Sequence, residues 1–177
     1  MRLFAAIPLN DEATDALDLI AETIPVGDPT PEDHWHITLA FAQDVEEEVA
    51  EEFALNIAQI TVPRFDWSIS GFGAFGGDRL RQIHALVAPD TALLDVHKRV
   101  RRAARDAGLE LPHKRFVPHI TLSRLRGAPM DMRGADWLAK YSTRTLGPFT
   151  ADAVVLFESE LYRNAPRYSP IITCRLV

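Results

Sequence analysis

The sequence predicts an α+β fold made of two equivalent half-chains. Predicted strands and helices are mixed along the 177 residues, and several connections have hairpin length. The tetrapeptide His-Ile-Thr-Leu occurs at 36–39 and again at 119–122. Neither a break in composition nor a Ser/Gly-rich linker divides the chain. We therefore expect one domain over 1–177 in which each half supplies an equivalent strand, and these strands face each other across an approximate two-fold axis.

In the first half the predicted order is strand, helix, loop, strand, helix. Asn10 is a typical N-cap, and Ala13, Leu17 and Ile20 recur at helical spacing after it. The loop is rich in proline and glycine. We predict strands over 2–8 and 36–41, helices over 11–23 and 46–58, and the loop over 25–31.

In the second half the pattern predicts five strands and two helices. Gly108 follows one helix as a typical C′ residue. The segment 71–76, GFGAFG, matches the GxGxxG pattern of dinucleotide-binding proteins, but it lies between two predicted strands and opens no helix, so we interpret it as a hairpin turn. We predict strands over 65–70, 80–88, 116–122, 149–157 and 168–176, and helices over 91–107 and 131–141.

Composition excludes several classes of protein. The chain is 47% hydrophobic and 25% charged, which is typical of globular proteins. Every apolar run is shorter than the roughly 18 residues of a membrane helix, and the apolar stretch 3–9 is too short for a secretory signal. The single cysteine, Cys174, excludes an internal disulfide, and we expect it to be a buried thiol. These features predict a cytoplasmic protein without a membrane partner, and we separately expect a monomer.

Charge is distributed unevenly along the chain. The net charge is −6, which argues against a nonspecific DNA-binding protein. Residues 1–60 hold 14 acidic side chains and one basic one, Arg2, whereas residues 61–177 hold 11 acidic and 18 basic ones. The second part could offer a basic wall to an anionic substrate, or both parts could simply be solvated. The same alternatives apply to the basic run 98–105 of the third helix, a solvated face or a guide for RNA.

The repeated tetrapeptide carries the chemistry. Residues i and i+2 of a strand share a face, so His36 points with Thr38, and His119 points with Thr121. Histidine titrates near neutral pH, so one ring can activate water while the other protonates a leaving alcohol, each step contributing about 10²–10⁴-fold. The hydroxyls can donate to phosphate oxygens. This set suits in-line displacement at phosphorus without a metal ion.

The remaining histidines leave a metal site as the alternative. His34 and His36 could chelate a metal ion, with more ligands from His84, His97 or His113. The sequence contains neither a cysteine pair nor an HExxH motif, so we expect no metal and no cofactor. We expect His84 at the rim of a strand and His97 on the polar side of its helix.

Segments along nearly the whole chain resemble a known family. RLFAAIPL at 2–9, HITLAF at 36–41, RFVPHITLSR at 115–124, LFESEL at 156–161 and PRY at 166–168 are similar to the 2H phosphoesterase superfamily, and more narrowly to the bacterial RNA 2′,3′-cyclic phosphodiesterases, historically called 2′-5′ RNA ligases. The resemblance implies a bilobal 2H phosphoesterase-like fold with two antiparallel sheets, outer helices and a cleft between the lobes. It also implies hydrolysis of RNA 2′,3′-cyclic phosphate ends, or of small cyclic nucleotides, to 2′-phosphates, with ligation as the reverse reaction.

The same resemblance implies roles for six residues. His36 would protonate the leaving O3′ and His119 would deprotonate the attacking water, the two roles exchanging during ligation. Thr38 and Thr121 would hold the non-bridging oxygens, Arg124 would add charge at the phosphate, and Phe41 would stack on the terminal base.

This sequence departs from the family pattern at three places, which bear on RNA-end specificity. Ala42 and Gln43 replace Leu-Gly, Val117 replaces a frequent arginine, and Arg163 and Asn164 replace glycines. Two alternatives stay open: a related 2H enzyme acting on another cyclic nucleotide or an ADP-ribose cyclic phosphate, and a non-catalytic RNA-end binder.

Overall fold

Two antiparallel sheets and four helices form the protein. The computed structural model describes residues 1–77, 79–126, 130–163 and 165–177. One sheet has the strand order β3-β1-β8-β9 and the other has β2-β6-β5-β4-β7. The strands are β1 Leu3–Pro8, β2 Asp28–Pro29, β3 His36–Ala42, β4 Phe65–Phe75, β5 Gln82–Val87, β6 His119–Arg124, β7 Leu146–Ala151, β8 Ala153–Tyr162 and β9 Ala165–Arg175. The helices are α1 Asp11–Ala21, α2 Glu47–Ala58, α3 Thr91–Asp106 and α4 Met132–Tyr141. The predicted α+β class is confirmed.

The helices begin and end where the sequence predicts, within two residues. The Asn10 side chain accepts a hydrogen bond from the backbone N–H of Ala13 at 2.9 Å and caps α1. Gly108 follows α3 with a φ of 89°, a conformation that glycine adopts without a steric penalty. Each helix buries one face in the core, as the spacing of its apolar residues requires.

The strand predicted over 149–157 is wrong, because it is two strands in different sheets. β7 pairs with β4, whereas β8 pairs with β1 and β9. The chain passes from one sheet to the other at Asp152, whose backbone carbonyl accepts from the N–H of Leu176 at 2.9 Å. No local pattern marks this change in the sequence, because apolar residues on both sides of Asp152 are buried.

The glycine-rich turn predicted over 71–76 is also wrong, because β4 continues through it to Phe75. Gly71 has a φ of 156°, and a Cβ atom there would collide with the backbone oxygen of Ser142. A Cβ atom on Gly73 would lie 3.1 Å from Nε2 of His84. These glycines therefore permit close approach of neighbouring groups inside a strand.

Further boundaries differ from prediction: β8 continues to Tyr162 and β9 begins at Ala165. The strand predicted from residue 116 begins only at His119, because Phe116 leaves the sheet and stacks on His97 of α3, with ring centroids 3.7 Å apart. The predicted loop over 25–31 contains the two-residue strand β2, which pairs with β6. The prediction of a buried Cys174 is confirmed, and its thiol lies 3.0 Å from the carbonyl oxygen of Ile60. None of the described helices combines the length and apolar character needed to cross a membrane.

Candidate active site

The two copies of the repeated tetrapeptide lie on strands of different sheets, and both strands have the same burial pattern. β3 is an edge strand, and β6 is flanked on its outer side by the short β2. In each strand the Ile and Leu side chains are buried, while the His and Thr side chains stay partly exposed. The predicted orientation of the motif is therefore confirmed: Ile37, Leu39, Ile120 and Leu122 face the core.

A cavity of about 400 Å³ brings the six predicted site residues together. It is lined by His36, Thr38, Phe41, His119, Thr121 and Arg124. Eight further residues complete the lining: Arg2, Phe4, Thr30, His34, Ser159, Leu161, Pro166 and Tyr168. Residues from both sheets thus surround one volume.

A β-bulge in each strand explains why Phe41 and Arg124 reach the cavity. A residue five positions after a histidine lies on the opposite face of a regular strand. The pairing of β3 with β1 shifts between Ala6 and Ala5 so that Leu39 has no partner. The pairing of β6 with β5 shifts in the same way and leaves Leu122 without a partner. Each extra residue returns the fifth position to the face of its histidine.

Backbone carbonyls hold both imidazoles in the same tautomer. The Nδ1–H of His36 donates to the carbonyl oxygen of His34 at 2.7 Å. The Nδ1–H of His119 donates to that of Val117, also at 2.7 Å. Because a carbonyl only accepts, each neutral ring carries its proton on Nδ1 and leaves the Nε2 lone pair free to take a proton.

Aromatic side chains bury His36. Its ring stacks on Phe4, with centroids 4.7 Å apart, and meets the edge of Tyr168 at 5.7 Å. This burial lowers the pKa of His36 to about 4, and the nearby charges of His34, His119 and Arg124 add to the effect, while the bond to the His34 carbonyl opposes it. His36 is therefore neutral at pH 7 in the free protein.

The ring of His119 contacts different side chains from those around His36. Phe75 meets its ring edge-on at 4.9 Å, and His84 does so at 5.3 Å. Burial lowers the pKa of His119, while the hydrogen bond to Val117 raises it. The two catalytic candidates thus share a tautomer and differ in their neighbours.

Two expectations about the other histidines are wrong. His84 is not at a rim but is 1% exposed beneath Phe75, and its Nδ1 has no hydrogen-bond partner among the described residues. Burial, with a smaller effect of His119, lowers the pKa of His84 to about 4. His97 is half-buried against Phe116, which lowers its pKa to about 4 together with Arg101 and Lys98.

The surroundings of His34 and His36 bear on the alternative of a metal site. His34 lies in a single 3₁₀ turn, Glu32–His34, before β3, and its ring packs on Tyr168 at 4.4 Å. No three His, Cys, Asp or Glu side chains gather as metal ligands within residues 1–77, 79–126, 130–163 and 165–177. Of the departures from the family pattern, Asn164 lies outside the described residues.

Comparisons with known proteins agree with this geometry. The family model described as "2'-5' RNA ligase superfamily" matches residues 26–163. A relative from Aeropyrum pernix, named RNA 2′,3′-cyclic phosphodiesterase, is 30% identical over 87% of this chain and 89% of its own length. The chain belongs to the 2′-5′ RNA ligase superfamily.

Solved structures of other proteins share the fold. A crystal structure of a Thermus thermophilus protein matches with a TM-score of 0.82 at 24% identity, covering 99% of this chain and 97% of that one. E. coli LigT complexed with phosphate matches with a TM-score of 0.72 at 25% identity, covering 99% and 96%. The two-sheet architecture is thus that of the 2H phosphoesterases.

Sequence reasoning missed several residues that line the cavity of this superfamily member. Arg2 and Phe4 could have been assigned to one face of the predicted strand 2–8, because residues two apart on a strand share a face. Ser159 lies on β8, which neighbours β1, and Tyr168 lies on β9, which neighbours β8; only the strand order places them near His36. A single sequence does not carry that order.

Proposed function

We propose that this protein hydrolyses the 2′,3′-cyclic phosphate at the 3′ end of RNA to a 2′-phosphate, using His36 and His119 and no metal ion. The observation that carries the proposal is the shared tautomer: two imidazoles from separate sheets leave Nε2 free beside one cavity. The name of the A. pernix relative, RNA 2′,3′-cyclic phosphodiesterase, and the phosphate complex of LigT support the choice of substrate class.

In the proposed reaction, Nε2 of His119 takes a proton from water, and the oxygen of that water forms a new bond to phosphorus. The bond from phosphorus to O3′ breaks, and Nε2–H of His36 protonates O3′. Thr38 and Thr121 donate to the non-bridging oxygens, and Arg124 balances their charge. The terminal base stacks on Phe41, which is 38% exposed. Ligation would not reverse this step: the 5′-hydroxyl of a second RNA would replace water, and His119 and His36 would keep the roles of base and acid rather than exchange them.

The lowered pKa of His36 links catalysis to substrate binding. An imidazole with a pKa of about 4, held down by burial, carries no proton to donate at pH 7. A cyclic phosphate in the cavity adds a negative charge beside the ring, which favours the imidazolium form. In this proposal the substrate itself therefore charges the general acid, and binding takes up a proton.

The test is product analysis with a defined oligonucleotide ending in a 2′,3′-cyclic phosphate, in the presence of EDTA. We expect the 2′-phosphate as the product and turnover that EDTA does not reduce. A 3′-phosphate product would contradict the assigned cleavage of the bond to O3′. Turnover that EDTA abolishes and added metal restores would contradict the metal-free mechanism.

The same assay separates the two alternatives. Turnover of an ADP-ribose cyclic phosphate with no turnover of RNA ends would favour the related 2H enzyme. Tight binding of an RNA 2′-phosphate with no turnover of any cyclic phosphate would favour the non-catalytic binder. The protein tested is the full chain, because both sheets contribute to the cavity.

A further inference from the structure

Arg2 is the single lysine or arginine among the first 60 residues, which carry 14 carboxylates. Its side chain nevertheless lines the candidate active-site cavity. Its Nε is buried and has no hydrogen-bond partner within the described ranges, and no described carboxylate forms an ion pair with it. The residue is half-buried, and a buried N–H without a hydrogen-bond partner is unfavourable, so an anion bound in the cavity would satisfy it.

The position of Arg2 relative to Phe41 identifies the kind of anion. The guanidinium carbon lies 5.7 Å from the centroid of the Phe41 ring. Phe41 is paired with Phe4, and Thr38 is paired with Ala6. Arg2 directly precedes β1 and continues its pairing, because its carbonyl accepts from the N–H of Ser159 at 2.8 Å. It therefore lies two residues to one side of the Phe4–Phe41 pair, and the Thr38 pair lies two residues to the other side. Two residues of a strand span roughly 7 Å.

This order matches a nucleotide with a phosphate at each end. If Thr38 holds the reacting cyclic phosphate and Phe41 holds the base, the next anionic group along the strand lies on the side of Arg2. In an RNA chain that group is the phosphodiester that joins the terminal nucleotide to the preceding one. A free nucleoside 2′,3′-cyclic phosphate has no such group.

We propose that Arg2, beside Phe41, binds the phosphodiester on the 5′ side of the terminal nucleotide and thereby makes the protein prefer RNA ends to cyclic mononucleotides. This inference rests on the proposed function, because it takes the cyclic phosphate to lie between the two histidines. It assigns the substrate class of that site to chains of at least two nucleotides.

The test compares ApA ending in a 2′,3′-cyclic phosphate with the same dinucleotide carrying an uncharged methylphosphonate at the internal linkage. We expect the wild-type protein to show a kcat/KM about tenfold higher for the charged linkage, the effect of one charge-assisted contact. Arg2→Met keeps the aliphatic stem and should bring that ratio close to one. Arg2→Lys keeps the charge and should retain most of the preference.

Arg64→Met is the matched control, because Arg64 is exposed and pairs with Asp152 away from the cavity lining. It should leave the ratio unchanged. The salt dependence gives a second readout: kcat/KM for the charged dinucleotide should fall less steeply with salt in Arg2→Met than in the wild-type protein. If Arg2 had only a structural role, Arg2→Met would lower kcat/KM equally for both substrates.

Two results would overturn the inference. One is a wild-type protein that does not distinguish the two linkages, and the other is an Arg2→Met variant that keeps the wild-type ratio. Failure of the proposed function is recognised separately, as absence of turnover of both dinucleotide cyclic phosphates by the wild-type protein. In that case calorimetry still measures the affinity of the protein for ApA 2′-phosphate and for its methylphosphonate analogue. Equal affinities would contradict the binding of the internal phosphodiester by Arg2.

Discussion

The ring of His119 meets the buried ring of His84 edge-on, with centroids 5.3 Å apart. Two imidazolium ions this close would repel each other, and His84 has no polar partner in the described structure to stabilise a charge. His84 therefore forms a neutral, aromatic support under the histidine that we propose as the general base.

This arrangement predicts an acid-sensitive stability. Burial lowers the pKa of His84 from 6.5 to about 4, so between these values the unfolded protein binds more protons than the folded one. The free energy of unfolding should be fully present above pH 6.5 and fall as the pH decreases toward 4, with His84 contributing about 3 kcal/mol of the loss. Urea denaturation at several pH values in this range gives the free energy of unfolding as a function of pH. This free energy should fall less steeply with decreasing pH for His84→Gln than for wild type, whereas exposed His113→Gln should match wild type. Equal slopes in all three would contradict the neutral burial of His84.

The shared tautomer makes a spectroscopic prediction. The carbonyls of His34 and Val117 can only accept, so the protons on His36 and His119 lie on Nδ1 when the rings are neutral. Nitrogen NMR of imidazole-labelled protein at pH 7 should show a protonated Nδ1 and an unprotonated Nε2 in both rings. A protonated Nε2 in either ring would remove its ability to act as a base.

The charge of Arg124 should be measurable at His36. Burial is the main cause of the low His36 pKa, and Arg124 is one of the nearby groups that lower it further. Arg124→Met should therefore raise the pKa of His36 in the free protein, as followed by NMR titration. The control Arg126→Met removes a cation two residues later, which pairs with Asp28 and is absent from the cavity lining. An unchanged His36 titration in Arg124→Met would show that the guanidinium does not act on that ring.

The close approach at Gly71 predicts a large loss of stability on substitution. In Gly71→Ala the new methyl group would collide with the backbone oxygen of Ser142, so a strand or the end of α4 must move. We expect a loss of about 3 kcal/mol or more in the free energy of unfolding. Gly77→Ala also has a positive φ, 58°, but meets no atom within 4 Å, and should cost only about 1 kcal/mol. Similar losses in thermal or urea denaturation would contradict the role assigned to the Ser142 contact.

The histidine strands were predictable because their signal is local. The repeated tetrapeptide fixes which side chains share a face, and alternation alone placed Ile37 and Ile120 in the core. The bulges at Leu39 and Leu122 were not predictable, because a bulge is a property of two paired strands and not of one. The cavity side of Phe41 and Arg124 therefore came from the family resemblance rather than from the spacing.

The errors arose where a neighbour decides the structure. Gly71 and Gly73 favour a turn locally, but the backbone of Ser142 and the ring of His84 require glycine inside the strand. Asp152 separates two strands that the apolar pattern joins into one. The burial of His84 has no local signal, because a histidine on a strand of one sequence is as compatible with the rim as with the core. The extent of a single domain over 1–177 stays a prediction.

The most direct measurement is the turnover of ApA ending in a 2′,3′-cyclic phosphate by His36→Asn and His119→Asn. Asparagine keeps a side-chain N–H that can reach the carbonyl of His34 or Val117 but removes Nε2. With folding confirmed by circular dichroism, the account predicts that each variant loses at least about 10²-fold in kcat. Near wild-type turnover in either folded variant would contradict the central claim that two histidines move the protons.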